Sequence, residues 1–424
     1  PQVREESDNS LAAGFDGIGI QFNVPNDTAV VIESIPGGPA QKCGVLAGDR
    51  LLMVDDVNIA GVHYPQDSMV RRMKGPAGTK VKVTVKRDGE VIPFEITRGK
   101  IPMHSVDAAF MTSATDGYVR VSKFSRSTYE EFVKAIAGLR AQGMEHLVVD
   151  LRDNSGGYFD QALMMSNLFL PKDSLIVFLE GRKRAREDYR ADGRGPYQDL
   201  PVSLLINEGS ASSSEIFAGA LQDNHRATIV GRRSFGKGLV QEPINFTDGS
   251  GIRLTVARFH TPSGRCIQKP YTEDYAFEVY KRYAGSEMVQ KDSMKIENGG
   301  IIPDVFVPLD TTRASDFYIK CNKKASALRF ASHYFDKHHA ELSAIDDYAQ
   351  LLDYLDRAEL DKQFLQFVKK TDGLVPKKGE WEDSKDYMMT QIRALVGRYS
   401  ALSDNAFYHI YLSIDETFAA AVKR

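Results

Sequence analysis

Between Val202 and Gln241 the chain reads VSLLINEGSASSSEIFAGALQDNHRATIVGRRSFGKGLVQ, and no other stretch restricts the fold as tightly. The apolar run Val202–Ile206, bounded by turn residues, predicts a buried strand. A glycine-led turn follows with four small hydroxyl residues, Ser210, Ser212, Ser213 and Ser214, and then a helical pattern. A short strand and a second glycine turn carrying Lys237 complete the unit. Strand, turn and helix in this order call for layered α/β structure. A serine at such a turn is exposed at the end of a sheet beside helix N–H groups, where a nucleophile and an oxyanion site can coincide.

Three readings of this stretch compete. Gly231-Arg-Arg-Ser-Phe-Gly-Lys237 satisfies GxxxxGK, and HLVVD at 146–150 imitates the strand that accompanies a phosphate loop. Position eight is Gly238 rather than a hydroxyl residue, and Leu239–Pro243 reads as strand, so the helix N-terminus that cradles phosphate is missing. In the catalytic reading a serine attacks and Lys237 takes its proton. That role requires a neutral amine, with a pKa several units below its ordinary ~10.4. Phe235, Gly236, Gly238, Leu239 and Val240 flank the lysine, and no acid occurs before Glu242, which predicts burial without a counter-charge. Gln241, four positions on, would face the same side of a strand and orient the amine without charging it. The third reading is plain structure, since serine-rich turns cap helices and Gly-Lys-Gly is a common surface turn.

The whole chain narrows the classes. At 424 residues with 42% hydrophobic composition it predicts a soluble globular protein of several domains. A net charge of −3 leaves no basic footprint for nucleic acid, and no run is long and apolar enough to span a bilayer. Cys43, Cys266 and Cys321 match no zinc spacing and cannot close a disulfide framework. His333, His338 and His339 lack ligand spacing and read as a solvated helix face. No metal and no cofactor is expected. The chain begins at Pro1, consistent with a signal or anchor segment absent from it.

Read in order, 1–14 is polar and predicts a linker or remnant. Residues 15–100 alternate short strands with one helical stretch, a small β-rich module. Gly17-Ile18-Gly19-Ile20 and Gly44…Ala47-Gly48-Asp49-Arg50-Leu51 resemble the carboxylate-binding loop and the glycine-aspartate turn of PDZ domains. The physics suits capture of a peptide terminus. Glycine-loop N–H groups hold a carboxylate, a strand edge accepts an extended peptide, and Ile18, Ile20, Met69 and Met73 are candidates to line an apolar pocket. Residues 101–309 return to α/β patterning, with a charge-rich loop at 181–196 that reads as a solvated hairpin or flap. Residues 310–424 carry apolar residues at helical spacing and predict a helical C-terminal domain.

Residues 15–308 resemble the carboxyl-terminal processing proteases, the tail-specific family of serine peptidases. The resemblance rests on DLRDNSGG (150–157), NEGSASSSEIFAGALQD (207–223), GRRSFGKGLVQ (231–241), TPSGRCIQ (261–268) and GIIPDV (300–305). It implies a crotonase/ClpP-like layered core with an inserted PDZ domain, and a Ser–Lys dyad. Members separate serine and lysine by 25 positions and place a glutamine four after the lysine, which selects Ser212, Lys237 and Gln241. The oxyanion hole implied is the Ser213 N–H with a glycine N–H from Gly156-Gly157, Gly157 favoured. Ser213 stands where members often carry alanine, and Ser155 where they often carry proline. The expected activity is cleavage of proteins near apolar C-termini in an extracytoplasmic, periplasmic setting. The terminal helical regions are expected to mediate homodimer or adaptor contacts. Two rival classes are a catalytically silent PDZ scaffold and a non-proteolytic enzyme on the crotonase-like architecture.

Overall fold

The computed structural model describes residues 14–24, 27–35, 37–46, 48–87, 89–102, 104–248, 250–269, 299–310 and 314–423. The expected linker before Gly14 and Ala47 of the glycine-aspartate turn lie outside them. The described chain forms two compact units, one of 104–309 with 415–423 and one of 14–103 with 310–414.

In chain order the second unit begins with β1 (Gly14–Gly17), β2 (Ile20–Asn23), β3 (Ala29–Ser34), α1 (Pro39–Cys43), β4 (Arg50–Val54), β5 (Val57–Asn58) and α2 (Gln66–Met73). It continues through β6 (Lys80–Arg87), β7 (Glu90–Thr97) and β8 (Gly99–Pro102), the last paired antiparallel with β1. The larger sheet runs β2-β3-β4-β6-β7 with β5 beside β4, which leaves β2 at an edge. In β6 the alternation of Val81, Val83 and Val85 with lysines places three valines in the core and leaves the polar set outside. The same unit includes the helices α6 (Asp316–Lys323), α7 (Ser326–Ser343), α8 (Tyr348–Arg357), α9 (Leu360–Asp372), α10 (Glu380–Gly397) and α11 (Ser403–Tyr411). They pack around Phe330, Phe335, Phe364 and Ile392. Gly48 sits against the Phe335 ring, and Arg50 pairs with Asp336.

The first unit holds β9 (Val106–Met111), β10 (Asp116–Val121), α3 (Thr128–Ala141), β11 (His146–Asp150), α4 (Phe159–Asn167), β12 (Leu175–Glu180), β13 (Glu187–Arg190), β14 (Val202–Ile206) and α5 (Ser213–Asp223). After these come β15 (Thr228–Gly231), β16 (Leu239–Asn245), β17 (Gly251–His260), β18 (Val305–Phe306) and α12 (Glu416–Val422). One sheet runs β18-β15-β14-β11-β10-β9, and only the β9 pairing is antiparallel. Every residue of β11 and of β14 is buried, the pattern of parallel strands covered on both faces. A four-stranded antiparallel sheet runs β13-β12-β17-β16. The charge-rich loop leads into β13, with Arg186 and Arg190 both paired to Asp188 near the surface. Residues 239–245 form strand rather than helix, as expected for a chain that is not a phosphate loop.

The last helical turn departs from the sequence reading, which ran it into the helical domain. α12 packs with β14 and β15 in the first unit. Its apolar spacing resembles that of its predecessors, so helical periodicity alone did not reveal a change of neighbours.

Candidate active site

β14 delivers the chain to a turn in which the four candidate serines take different positions. Ser210 is fully buried and donates its hydroxyl to the Leu151 carbonyl at 2.8 Å. Ser214, equally buried, donates to the Asn154 carbonyl at 2.9 Å. Ser213, 1% exposed, donates to the Gly157 carbonyl at 3.0 Å. Ser212 alone is half-buried, and its hydroxyl donates to none of the described residues. Its backbone sits at φ 56° and ψ −114°, a strained conformation for a residue with a Cβ. The strain lifts this side chain out of the turn at the N-terminus of α5.

The opposing wall is the turn 151–157 after β11. Asn154 organises it from a fully buried position, donating to the Val121 carbonyl and accepting from the Gly156 N–H, each within 2.9 Å. Its carbonyl also receives the Ala211 N–H at 2.9 Å. A Cβ on Gly156 would lie 2.7 Å from Ser212 Cβ, and one on Gly157 only 2.0 Å from the Phe124 carbonyl oxygen. Glycine is required at both positions. The Gly156 N–H is occupied by Asn154 Oδ1, which corrects its candidacy as an oxyanion donor. The N–H groups of Gly157 and Ser213 donate to none of the described residues.

The lysine turn is held from several sides. Lys269 N–H donates to the Gly236 carbonyl at 3.0 Å, and Gly238 N–H to Gln268 Oε1 at 3.0 Å. Ser234 is tied to the GIIPDV segment through the Ile301 N–H at 2.6 Å. At the centre lies Glu215, fully buried. One oxygen accepts Ser212 N–H at 2.8 Å and Lys237 N–H at 2.9 Å. The other accepts the Ser234 hydroxyl at 2.5 Å and Gly236 N–H at 2.6 Å. Burial pushes the Glu215 carboxyl above its ordinary value, against these four hydrogen bonds.

Sequence reasoning missed Glu215, Asn154 and Gln268. The Ser212-x-x-Glu215 spacing is that of a capping box, a signal that was available.

Two expectations are corrected. Lys237 is exposed rather than buried, and its ammonium makes no hydrogen bond or ion pair with the described residues, Ser212 included. Apolar neighbours along the chain do not fix where a long side chain points. Gln241 is also exposed, and its side-chain amide makes no hydrogen bond with the described residues. β16 starts at Leu239, so Lys237 lies in the irregular turn before it and the alternation that would align the two does not reach the lysine.

In the β-rich module, the Ile18 and Gly19 carbonyls accept from Ala40 and Ile35 N–H groups, while their own N–H groups donate to none of the described residues. Gly19 has φ 78°. Ile18, Met69 and Met73 are at most 4% exposed, so in this conformation they are core residues and present no open pocket wall. Ile20 is half-buried on the edge strand beside them, and Gly17 pairs with Gly99.

The glycine-rich N–H loop beside the β2 edge and the strained serine turn lie in two segments that match known families. Residues 116–277 match Peptidase family S41 and residues 17–97 match the PDZ domain. Residues 317–400 match a family of unknown function. The matches place a peptidase S41 domain and a PDZ domain in this chain. It is 37% identical to the carboxyl-terminal-processing protease of Synechocystis sp. over 60% of this chain and 60% of that one. It is 39% identical to the carboxy-terminal-processing protease of Bartonella bacilliformis over 61% of this chain and 60% of that one. A solved photosystem II D1 C-terminal processing protease aligns at 28% identity, with a TM-score of 0.41, over 72% of this chain and 76% of the other. The chain spans 51% to 63% of the length of these curated relatives. Among the described residues no helix is long and apolar enough to cross a membrane.

Proposed function

We propose that this chain is a serine endopeptidase that cuts proteins near their C-termini through a Ser212–Lys237 dyad on a crotonase/ClpP-like core. The observation that carries the reading is Ser212 itself, the one candidate serine that is half-buried and strained and whose hydroxyl donates to none of the described residues. Glu215 ties its backbone to that of Lys237. In the proposed reaction the Lys237 amine turns onto Ser212 Oγ and accepts its proton as Oγ attacks the scissile carbonyl. The Gly157 and Ser213 N–H groups receive the negative charge that develops on the carbonyl oxygen. Lysine returns the proton to the leaving amine, and water, deprotonated by the same lysine, hydrolyses the acyl-serine. Completing the proposed dyad calls for the exposed lysine side chain to turn towards Ser212 over a backbone that Glu215 holds.

The β-rich module supports capture of the substrate terminus. Its Ile18 and Gly19 N–H groups suit a carboxylate, and the β2 edge suits an extended peptide with apolar side chains. The resemblance alone assigns a periplasmic setting.

Cleavage of an unfolded protein with an apolar C-terminus tests the reading. Ser212→Ala and Lys237→Ala should each abolish cleavage with unchanged circular dichroism, and amidating the substrate terminus should raise KM. Full activity in Ser212→Ala would show that another group is the nucleophile.

A further inference from the structure

The segment 415–423 returns to the first unit beside the turn that carries Gly157, and it does so through charge. Asp415 is 6% exposed at its side chain, and its Oδ2 lies 2.6 Å from Arg152 Nη1. Its other oxygen caps α12, accepting the Thr417 and Phe418 N–H groups at 2.9 and 3.0 Å. Arg152 turns its remaining nitrogens onto Asp150, with Nη2 at 2.6 Å. Asp150 also receives Arg120 Nη1 at 2.8 Å and the Tyr118 hydroxyl at 2.7 Å. Burial pushes the Asp150 carboxyl up, but Arg152 and Arg120 outweigh it and hold it well below the usual carboxylate range. The Tyr118 ring meets Phe418 edge-on at 6.0 Å, and Ser203 donates its hydroxyl to the Ala421 carbonyl at 3.1 Å.

Arg152 thus lies between two carboxylates, and one of them comes from the N-cap of α12. Arg120 and Arg152 are two guanidiniums around the single carboxylate of Asp150, all three largely buried. Asp415 supplies the second carboxylate against Arg152. Without it Arg152 loses one of its two carboxylate partners in a largely buried place, which strains whatever holds Arg152. What holds Arg152 is the first half of the turn 151–157, two residues before Asn154.

We propose that Asp415 is a positioning residue for peptide hydrolysis, pairing with Arg152 to hold turn 151–157, and so the Gly157 N–H, at the depth the oxyanion requires. The proposal rests on the reading that Gly157 donates to the oxyanion. Asparagine caps helices as well as aspartate does, so Asp415→Asn removes the charge while keeping the cap.

The test compares Asp415→Asn with wild type in the full chain, with active sites counted by a fluorophosphonate. Expected is a kcat lowered between about 10- and 100-fold per titrated site with KM unchanged. A peptide boronate, whose tetrahedral adduct needs the same N–H donors, should bind more weakly by a similar factor. A merely structural role would lower the titrated fraction and leave kcat per site intact. Wild-type kcat per site, or a lowered kcat with undiminished boronate affinity, would overturn the proposal. Should the asparagine variant fail to fold, Asp415→Ser, which caps through its hydroxyl, is read by the same criteria. Failure of the Ser212 assignment would show separately, as activity in Ser212→Ala.

Discussion

Glu215 accepts the Lys237 N–H at 2.9 Å on the oxygen that takes the Ser212 N–H at 2.8 Å. Two turns, 25 residues apart in sequence, are thus held by one buried carboxylate. In Glu215→Gln one acceptor oxygen becomes a donor facing N–H groups, leaving buried donors unpaired. The variant should lose on the order of 2 kcal/mol of stability or more. Its kcat should fall by at least about 100-fold, because the two turns lose their common anchor. Denaturant unfolding and peptide cleavage read the two effects, and wild-type values of both would refute the anchor.

Ser213 is tied through its hydroxyl to the Gly157 carbonyl at 3.0 Å, a link that alanine cannot make. Ser213→Ala leaves the N–H in place, so the loss should be limited to about 1 kcal/mol of stability. The drop in kcat should stay below about tenfold, the equivalent of 1.4 kcal/mol in the barrier. A drop of several hundredfold would mean that the hydroxyl itself takes part in the chemistry.

Gly157→Ala places a methyl group 2.0 Å from the Phe124 carbonyl oxygen, so the backbone must shift. Loss of one aligned oxyanion donor costs about 10²- to 10³-fold in kcat, and that range is expected here. Ser155→Ala, on the exposed side of the same turn, should stay within about 0.5 kcal/mol of wild type and serves as the control.

The helical segment carries its own acid sensitivity. His409 is stacked on Tyr348 at 3.7 Å, and burial pushes its imidazole down to about 4 from an ordinary 6.5. The fold therefore favours the neutral ring. This contribution to stability is present above pH 6.5 and lost as pH falls towards 4. Melting temperature should decline across that window, and His409→Leu should flatten the decline. An unchanged slope in the variant would assign the sensitivity elsewhere.

Much of this architecture was legible in the chain. The run Val202–Ile206 could only be a buried strand, and the glycine turn after it had to open a helix. Ser212 was not separable from its neighbours by residue type. The structure separates them through where the other three hydroxyls donate. Gly156 and Gly157 look alike in sequence, yet Asn154 occupies one N–H and leaves the other open. Glu215 was overlooked because an acid in the first turn of a helix reads as a solvated cap, and burial is a property of the neighbouring loop. Ile18, Met69 and Met73 suit a pocket wall and a core equally well, and here tertiary packing chose the core.

Because Asp415 follows the helices of the other unit in chain order, its pair with Arg152 closes a loop of more than 260 residues. Contacts so distant form late, after local structure has paid its ordering entropy. During synthesis the serine turn and the lysine turn emerge well before the segment that carries Asp415. A nascent chain thus carries Ser212 and Lys237 long before Asp415 is available to pair with Arg152.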